Sequence, residues 1–152
     1  MLGIRLKSIF SEKDLREIAD AVADAEKRTA GEIRVSIRQR RGFGERTMPL
    51  EAIAEKEFHA LGMTATKDGT GVLIFVIFED RRFRIVADKG IHEKVGEGTW
   101  QRIAQEMSSH FSAKRFKEGI LRAIDEVGKV LTAHFPSSPD DKNELPNAVR
   151  IR

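Results

Sequence analysis

The chain contains 152 residues, of which 40% are hydrophobic and 34% are charged, and this composition is typical of one soluble globular domain. The net charge of +3 is too small to indicate a nucleic-acid partner, although a pI near 9.3 indicates a mild attraction to anions. The absence of cysteine excludes disulfides, thiol catalysis and cysteine-ligated zinc. No segment has the apolar core of a signal peptide or approaches the ~20 apolar residues of a membrane span, so we expect a cytoplasmic protein with no membrane partner.

Helix and strand periodicities alternate along the first half of the chain. Ser11, with Asp14 three residues later, predicts the start of a helix whose apolar residues recur at helical spacing up to Ala25. Residues 32–38 then alternate between apolar and polar side chains, which predicts a strand with one wet or paired face. Pro49 suits the first turn of a second helix, and Gly62 suits its end.

The second half opens on seven consecutive apolar residues, Val72 to Phe78. A strand without polar alternation has both faces buried, which is typical of a central strand covered by helices on each side. A polar turn, "EDRR", follows, and alternation resumes on a returning strand that ends near Ala87. Two more helices are predicted, one containing Trp100 and a last one capped by Ser112.

These elements predict an α/β fold in which a small mixed β-sheet is flanked by helices on both faces, an α/β/α sandwich. The strand–helix–strand unit from residue 32 to 78 should be a right-handed crossover with parallel strands, and the next strand should return antiparallel. We assign residues 1–135 to a single domain and residues 136–152, which are rich in Pro, Ser and Asp, to a C-terminal tail.

This topology brings three carboxylates to one end of the sheet. Glu32 begins the first strand, Asp68 precedes the second, and Asp88 follows the third, which runs the opposite way. Carboxylates held together repel one another unless a cation neutralises them, and oxygen donors favour hard cations such as Ca²⁺ or Mg²⁺.

A structural role for the same acids is the alternative. Each carboxylate would then only cap a turn or pair with Lys67, Lys89 or Arg34. Clustered acids are often structural pairs, so spacing alone favours this structural role over a metal site.

Several segments together resemble the TPM domain family. They are "GEIRVSI", "TKDGTGVLIFVIFEDRRFRIVADKGIHEKVG", "RFKEGILRAIDEVGKVL" and the closing "NELPN", with Trp100 and Phe111 between them. The resemblance extends from about Ser11 to Asn147, and "DRRFRI" followed by "DKGIHEKVG" is its most specific part. The family includes phosphatase-like proteins of the thylakoid lumen, a cyanobacterial photosystem repair protein and a nematode receptor modulator. It implies a mixed sheet with flanking helices, in agreement with the periodicity.

The resemblance also implies a divalent-metal site of acidic side chains at one end of the sheet and, for some members, phosphatase activity. Carried onto this chain, the metal ligands are Glu32, Asp68 and Asp88. Two positions depart from the family pattern, because Thr70 stands where relatives usually have Asn and Ala87 where they usually have Gly.

Two rival motifs are incomplete. The loop "RRGFGERT" lies between a strand and a helix, as a dinucleotide-binding loop would, but Thr47 stands at the third glycine position. We therefore expect a mobile surface loop, whose arginines could bind phosphates but more often form a solvated face. The segment "IHEK" offers half of a zinc-helix motif, and Gly96 stands where its second His is needed.

Two function hypotheses follow. The favoured one is a divalent-metal-binding TPM domain with weak phosphatase activity, in which the cation would polarise a phosphoryl oxygen. Lys89 would stabilise phosphate charge at the start of a helix expected after Gly90, where backbone amides also point outward. A carboxylate-only site without an evident nucleophile favours binding over efficient catalysis. The alternative is a non-catalytic protein-interaction module whose clustered acids are structural. Substrate, protein partner and oligomeric state cannot be inferred from the sequence.

Overall fold

The computed structural model describes residues 6–66, 69–137 and 149–151. The helices are α1 (Leu6–Ile9), α2 (Glu12–Glu26), α3 (Leu50–Ala60), α4 (Lys89–His92), α5 (Glu97–Ser112) and α6 (Phe116–His134), and the strands are β1 (Glu32–Arg38), β2 (Gly71–Ile77), β3 (Arg82–Ala87) and β4 (Arg150–Ile151). The strand order is β3-β2-β1-β4. Strands β1 and β2 are parallel, and β3 is antiparallel to β2, as predicted.

Strand β2 is buried on both faces along its whole length. Its odd and even residues belong to two separate apolar clusters. Val72, Ile74 and Val76 pack in the cluster that contains residues of α2, α5 and α6. Leu73, Phe75 and Ile77 pack in the cluster that contains residues of α3. The sheet is therefore covered by helices on both faces, which confirms the predicted α/β/α sandwich.

Helix ends follow local sequence signals in most places. The Ser11 hydroxyl accepts from the Asp14 amide at 3.0 Å and the Asp14 carboxylate accepts from the Ser11 amide at 3.0 Å, so α2 begins at the predicted capping box. The predicted cap at Ser112 is wrong, because that residue still belongs to α5. Helix α6 begins after Arg115, whose side chain makes no capping hydrogen bond.

The polar face of β1 is buried. Of the two alternatives that the sequence left open, a face in contact with solvent and a face whose polar groups pair within the protein, the structure has the second. The Ser36 hydroxyl is hydrogen-bonded to the Glu57 carboxylate of α3. Arg38 donates to Glu45 at 2.5 Å and lies 3.4 Å from Glu57. Burial by itself would raise the pKa of Glu45, but hydrogen bonds from Arg38, the Gly42 amide and Lys56 lower that pKa to about 2.

The predicted tail contributes to the sheet. Strand β4 lies within residues 136–152 and pairs in parallel with Ser36 and Ile37 of β1. No sequence pattern indicated this two-residue strand. The domain boundary at residue 135 stays a prediction. Across the described ranges, no helix is both long enough and apolar enough to cross a bilayer.

Replacing Ile74 by Asp should unfold the domain, because this side chain is fully buried in the central strand. An unpaired carboxylate there would cost several kcal/mol, a large part of the stability of a single domain. Ile74→Val, the matched control, should lower the free energy of unfolding by about 1 kcal/mol and leave a folded protein. Thermal melts followed by circular dichroism test both variants, and an unchanged melting temperature in Ile74→Asp would contradict the double burial of β2.

Replacing Glu45 by Gln should lower the free energy of unfolding at pH 7 by an amount on the order of 3 kcal/mol, since it removes the charge of a buried ion pair. The pKa of Glu45 is lower in the folded protein than its ordinary 4.5, so its stabilising effect is present above pH 4.5 and is lost as the pH falls toward 2. Urea unfolding at pH 7 and pH 3 should therefore show a smaller difference between wild type and variant at the lower pH. Glu55→Gln, an exposed position on α3, is the control and should differ little from wild type at either pH. A difference that is the same at both pH values would argue against this linkage.

Candidate functional site

A cleft of about 680 Å³ lies between α3 and the end of the sheet where β3 finishes. We call it the Asp88 cleft. It is lined by residues 84–87 of β3 and by residues of α3, α4 and α5. Its lining includes ionisable residues of both signs together with two histidines, and they comprise Glu51, Glu55, His59, Arg84, Asp88, Lys89, His92 and Glu97.

Asp88 occupies this cleft because β3 ends there. The Asp88 amide donates to the Gly71 carbonyl at 2.9 Å, which continues the β2–β3 pairing by one residue. Its Oδ1 atom accepts from the Lys89 amide at 2.8 Å and caps α4. The structural role weighed from the sequence is therefore present at this residue. The second oxygen, Oδ2, lies near Gly69: a Cβ atom added to that glycine would be 3.8 Å from it.

Gly69 packs tightly against the start of α4. Its φ of +66° favours glycine, and a Cβ at this position would approach the Gly90 amide nitrogen to 3.0 Å. Asp68, the predicted ligand that precedes Gly69 in the chain, lies outside the described residues. The residue that follows Asp68 is therefore a direct neighbour of the Asp88 carboxylate.

Glu32 reaches the same end of the sheet but is not among the residues that line the Asp88 cleft. Its amide donates to the Thr70 carbonyl at 3.0 Å, as the parallel register requires, and its side chain is only 3% exposed. The neighbouring Glu26, at the end of α2, accepts from the Ile33 amide at 2.7 Å. Burial and a hydrogen bond with Glu32 raise the pKa of Glu26 to about 9. The raised pKa favours a proton shared within this carboxyl pair, which lies beside β1.

The start of β1, the start of β2 and the end of β3 thus lie at the same end of the sheet, as the topology predicted. The two acids described there have different surroundings, because Asp88 lines the cleft and Glu32 is buried beside Glu26. Among residues 6–66, 69–137 and 149–151, no group of three or more His, Asp or Glu side chains is arranged to hold a metal ion. The ligand set of Glu32, Asp68 and Asp88 stays a prediction, because one of its members is not described.

Sequence reasoning missed the α3 side of the cleft. Glu51, Glu55 and His59 follow one another at intervals of four and lie on one exposed face of the helix. That spacing was visible in the sequence and could have marked a polar helix face beside the site. Arg84 lies 3.9 Å from both Glu51 and Glu97, and all three side chains are partly exposed, so these ion pairs contribute little stability.

The role expected of Lys89 needs correction in one respect. Helix α4 begins at Lys89 itself and not after Gly90, and the Lys89 amide already donates to Asp88. Backbone donors at this short helix are therefore partly used within the protein. The exposed Lys89 side chain still lines the cleft and contributes positive charge there.

Three solved structures share this fold. The NMR structure of the BA42 protein from the psychrophilic bacterium Bizionia argentinensis is 35% identical, with a TM-score of 0.85 over 94% of this chain and 95% of that one. The N-terminal domain of a P. gingivalis protein is 22% identical, with a TM-score of 0.69 over 84% of this chain and 79% of that one. The N-terminal domain of cg2496 from Corynebacterium glutamicum is 16% identical, with a TM-score of 0.62 over 85% of this chain and 78% of that one.

No curated protein matches the chain. The family model described as the TPM domain matches residues 5–130, which include every helix and strand from α2 to α5 and most of α6. The match spans most of the sequence, and the solved structure that is 35% identical has the same fold over nearly its whole length. The chain belongs to the TPM domain family.

Proposed function

We propose that this TPM domain binds one divalent cation, Ca²⁺ or Mg²⁺, at the end of the sheet where Asp88 lies. The observation that carries the proposal is the position of the Asp88 carboxylate. One of its oxygens caps α4, and the other lies near Gly69, the residue next to Asp68. Carboxylate oxygens are the donors that hard cations take, so Asp88 fits such an ion, and Asp68 is its proposed partner.

Glu32 is the weakest of the three proposed ligands. Its carboxyl is buried and hydrogen-bonded with Glu26, and it would have to turn away from that partner to reach the Asp88 cleft. The burial of this pair favours keeping it intact. In the proposal, Asp68 and Asp88 therefore supply the main binding energy, and Glu32 makes a smaller contribution.

Weak phosphatase activity is the catalytic extension of this proposal. When bound, the cation would supply Lewis acidity toward a phosphoryl oxygen. The Lys89 and Arg84 side chains line the same cleft and add positive charge that would orient a phosphoester. Among the described residues of the cleft, Thr64 is the only one with a hydroxyl group, and no cysteine exists in the chain. We therefore propose a binding domain first and a slow hydrolase second.

A protein-interaction module is the competing function. The same cleft would then receive a segment of a partner protein, and Asp88 would serve only as the cap of α4. The two functions differ in one measurable respect, because an interaction module has no need of a specific response to divalent cations.

Asp88→Asn should abolish most of the Ca²⁺ or Mg²⁺ binding while leaving the metal-free protein as stable as wild type. Asn is as good a helix cap as Asp, so the substitution removes the charge and keeps the capping bond. For wild type, a cation at a hundredfold excess over its dissociation constant should raise the free energy of unfolding by about 2.7 kcal/mol. Calorimetric titration and thermal melts with each ion measure both effects.

Asp20→Asn, an exposed position on α2 that is not part of the cleft, is the matched control and should bind like wild type. Negligible heats for wild type with both ions, and no melting shift, would leave only the structural role of the acids. Equal binding by wild type and Asp88→Asn would place the cation elsewhere. For the catalytic extension, hydrolysis of p-nitrophenyl phosphate should require the added cation and fall with Asp88→Asn.

A further inference from the structure

The opposite end of the sheet displays one fully exposed aromatic ring. Phe43 is 107% exposed, and Ile151, at 37%, is the other large apolar side chain classed as exposed within the described ranges. Phe43 is the second residue of a turn in which the Glu45 amide donates to the Gly42 carbonyl at 3.1 Å. Gly44, the third residue, has a φ of +84°, as a type II turn requires.

The turn that carries Phe43 is held by hydrogen bonds to buried and partly buried side chains, whereas the sequence led us to expect a mobile surface loop. The Gly42 amide donates to Glu45 Oε1 at 2.6 Å, and Glu45 is itself held by Arg38 inside the protein. Arg41 donates to the carbonyls of Glu45 and Met48 at 2.8 and 2.5 Å, and its Nε lies 2.6 Å from Asp80. The chain that presents Phe43 is therefore already ordered, which reduces the entropy cost of any contact that the ring makes.

Arginines surround this ring. Two backbone bonds, from Phe78 to Arg38 and from Glu79 to Gln39, hold the β2–β3 turn beside the loop that follows β1. Arg40 and Arg41 pair with Glu79 and Asp80 across the two loops. Three further arginines are exposed, namely Arg46, Arg81 and Arg82. In the described part of the chain, none of these three has a carboxylate within 4.0 Å. This end of the molecule, which we call the Phe43 end, is positively charged.

Recesses flank the ring on both sides. One, of about 660 Å³, is lined by Arg40, Phe43 and Lys56 among others. The second, of about 530 Å³, is lined by Arg41, Phe43 and Arg46 among others. Each recess is lined by arginine as well as by Phe43, and guanidinium groups bind phosphate oxygens through paired hydrogen bonds.

We propose that the Phe43 end docks peripherally on an anionic lipid surface, with the Phe43 ring entering the interface and the surrounding arginines contacting lipid phosphates. A single protruding ring suits a fluid interface, which needs no complementary pocket. Single-stranded nucleic acid stacks successive bases on several aromatic rings, whereas Phe43 is the one exposed Phe or Trp side chain in the described ranges, and a protein partner would need a preformed hole for the ring. The lack of a membrane-spanning segment led us to expect no membrane partner. A peripheral contact with a lipid surface requires no spanning segment, so the proposal departs from that expectation without contradicting its premise.

Flotation of the whole protein with vesicles tests this proposal. We expect binding to vesicles of phosphatidylcholine mixed with phosphatidylglycerol, weaker binding as salt rises, and no binding to phosphatidylcholine alone. Phe43→Ala should weaken the binding about tenfold and leave the melting temperature unchanged, because the ring has no packing to lose. Arg46→Gln should weaken it about fivefold, whereas Arg16→Gln, an exposed control on α2, should not.

Fluorescence locates the ring. Trp100 is the only tryptophan and is 3% exposed, so in a Phe43→Trp variant the native indole supplies a constant background. We expect brominated lipids to quench the added signal of this variant and to leave wild-type fluorescence unchanged. No binding to anionic vesicles, equal binding by Phe43→Ala, or an unquenched signal in bound Phe43→Trp would each overturn the proposal. Binding of a short single-stranded RNA or an acidic peptide that depends on Phe43, without vesicle binding, would overturn it in favour of that partner.

Discussion

Strand β2 has no polar side chain, and the architecture follows from the need to cover both of its faces. Its seven residues are completely buried, three against α2, α5 and α6 and three against α3. Covering two faces requires helices on both sides, and the parallel pairing with β1 requires a crossover, which α3 supplies. The returning β3 then completes the pairing of β2 on its other edge. The two ends of the sheet are thereby fixed, one with Asp88 and the other with Phe43.

The neighbouring strand shows how charge is accommodated in the same interior. The polar residues of β1 are Glu32, Arg34, Ser36 and Arg38, and each of them is nearly inaccessible to solvent. Removing such groups from water is costly, so each buried group needs a hydrogen bond or an ion pair that compensates for the cost. Each of these interactions in turn restricts the positions of the two elements that it joins. Arg38 joins β1 to Glu57 of α3 and to Glu45 of the following loop. We expect this network to act on specificity more than on net stability, because it couples the position of α3 and the shape of the Phe43 turn to the register of β1.

Much of the fold could be predicted because its signals are local. The apolar run of β2, the alternation of β1 and the Ser11 capping box each need only a few consecutive residues, and all three were interpreted correctly. The same residues also predicted which strand ends meet. Features that depend on contacts between distant segments gave no signal. The proximity of Glu26 to Glu32 depends on how α2 ends, and β4 is too short for a pattern. Ser112 was misplaced because a good capping residue also occurs in the last turn of a helix, and Arg115 begins α6 without a side-chain cap.

The two ends of the sheet are electrostatically independent of each other. Strand β2 separates them by seven residues, which corresponds to about 23 Å of extended chain. The Debye length at physiological ionic strength is roughly 8 Å, so a cation near Asp88 changes the potential at the arginines of the other end very little. We therefore expect the proposed metal binding at one end and the proposed lipid binding at the other to be separate, so that loss of one leaves the other intact.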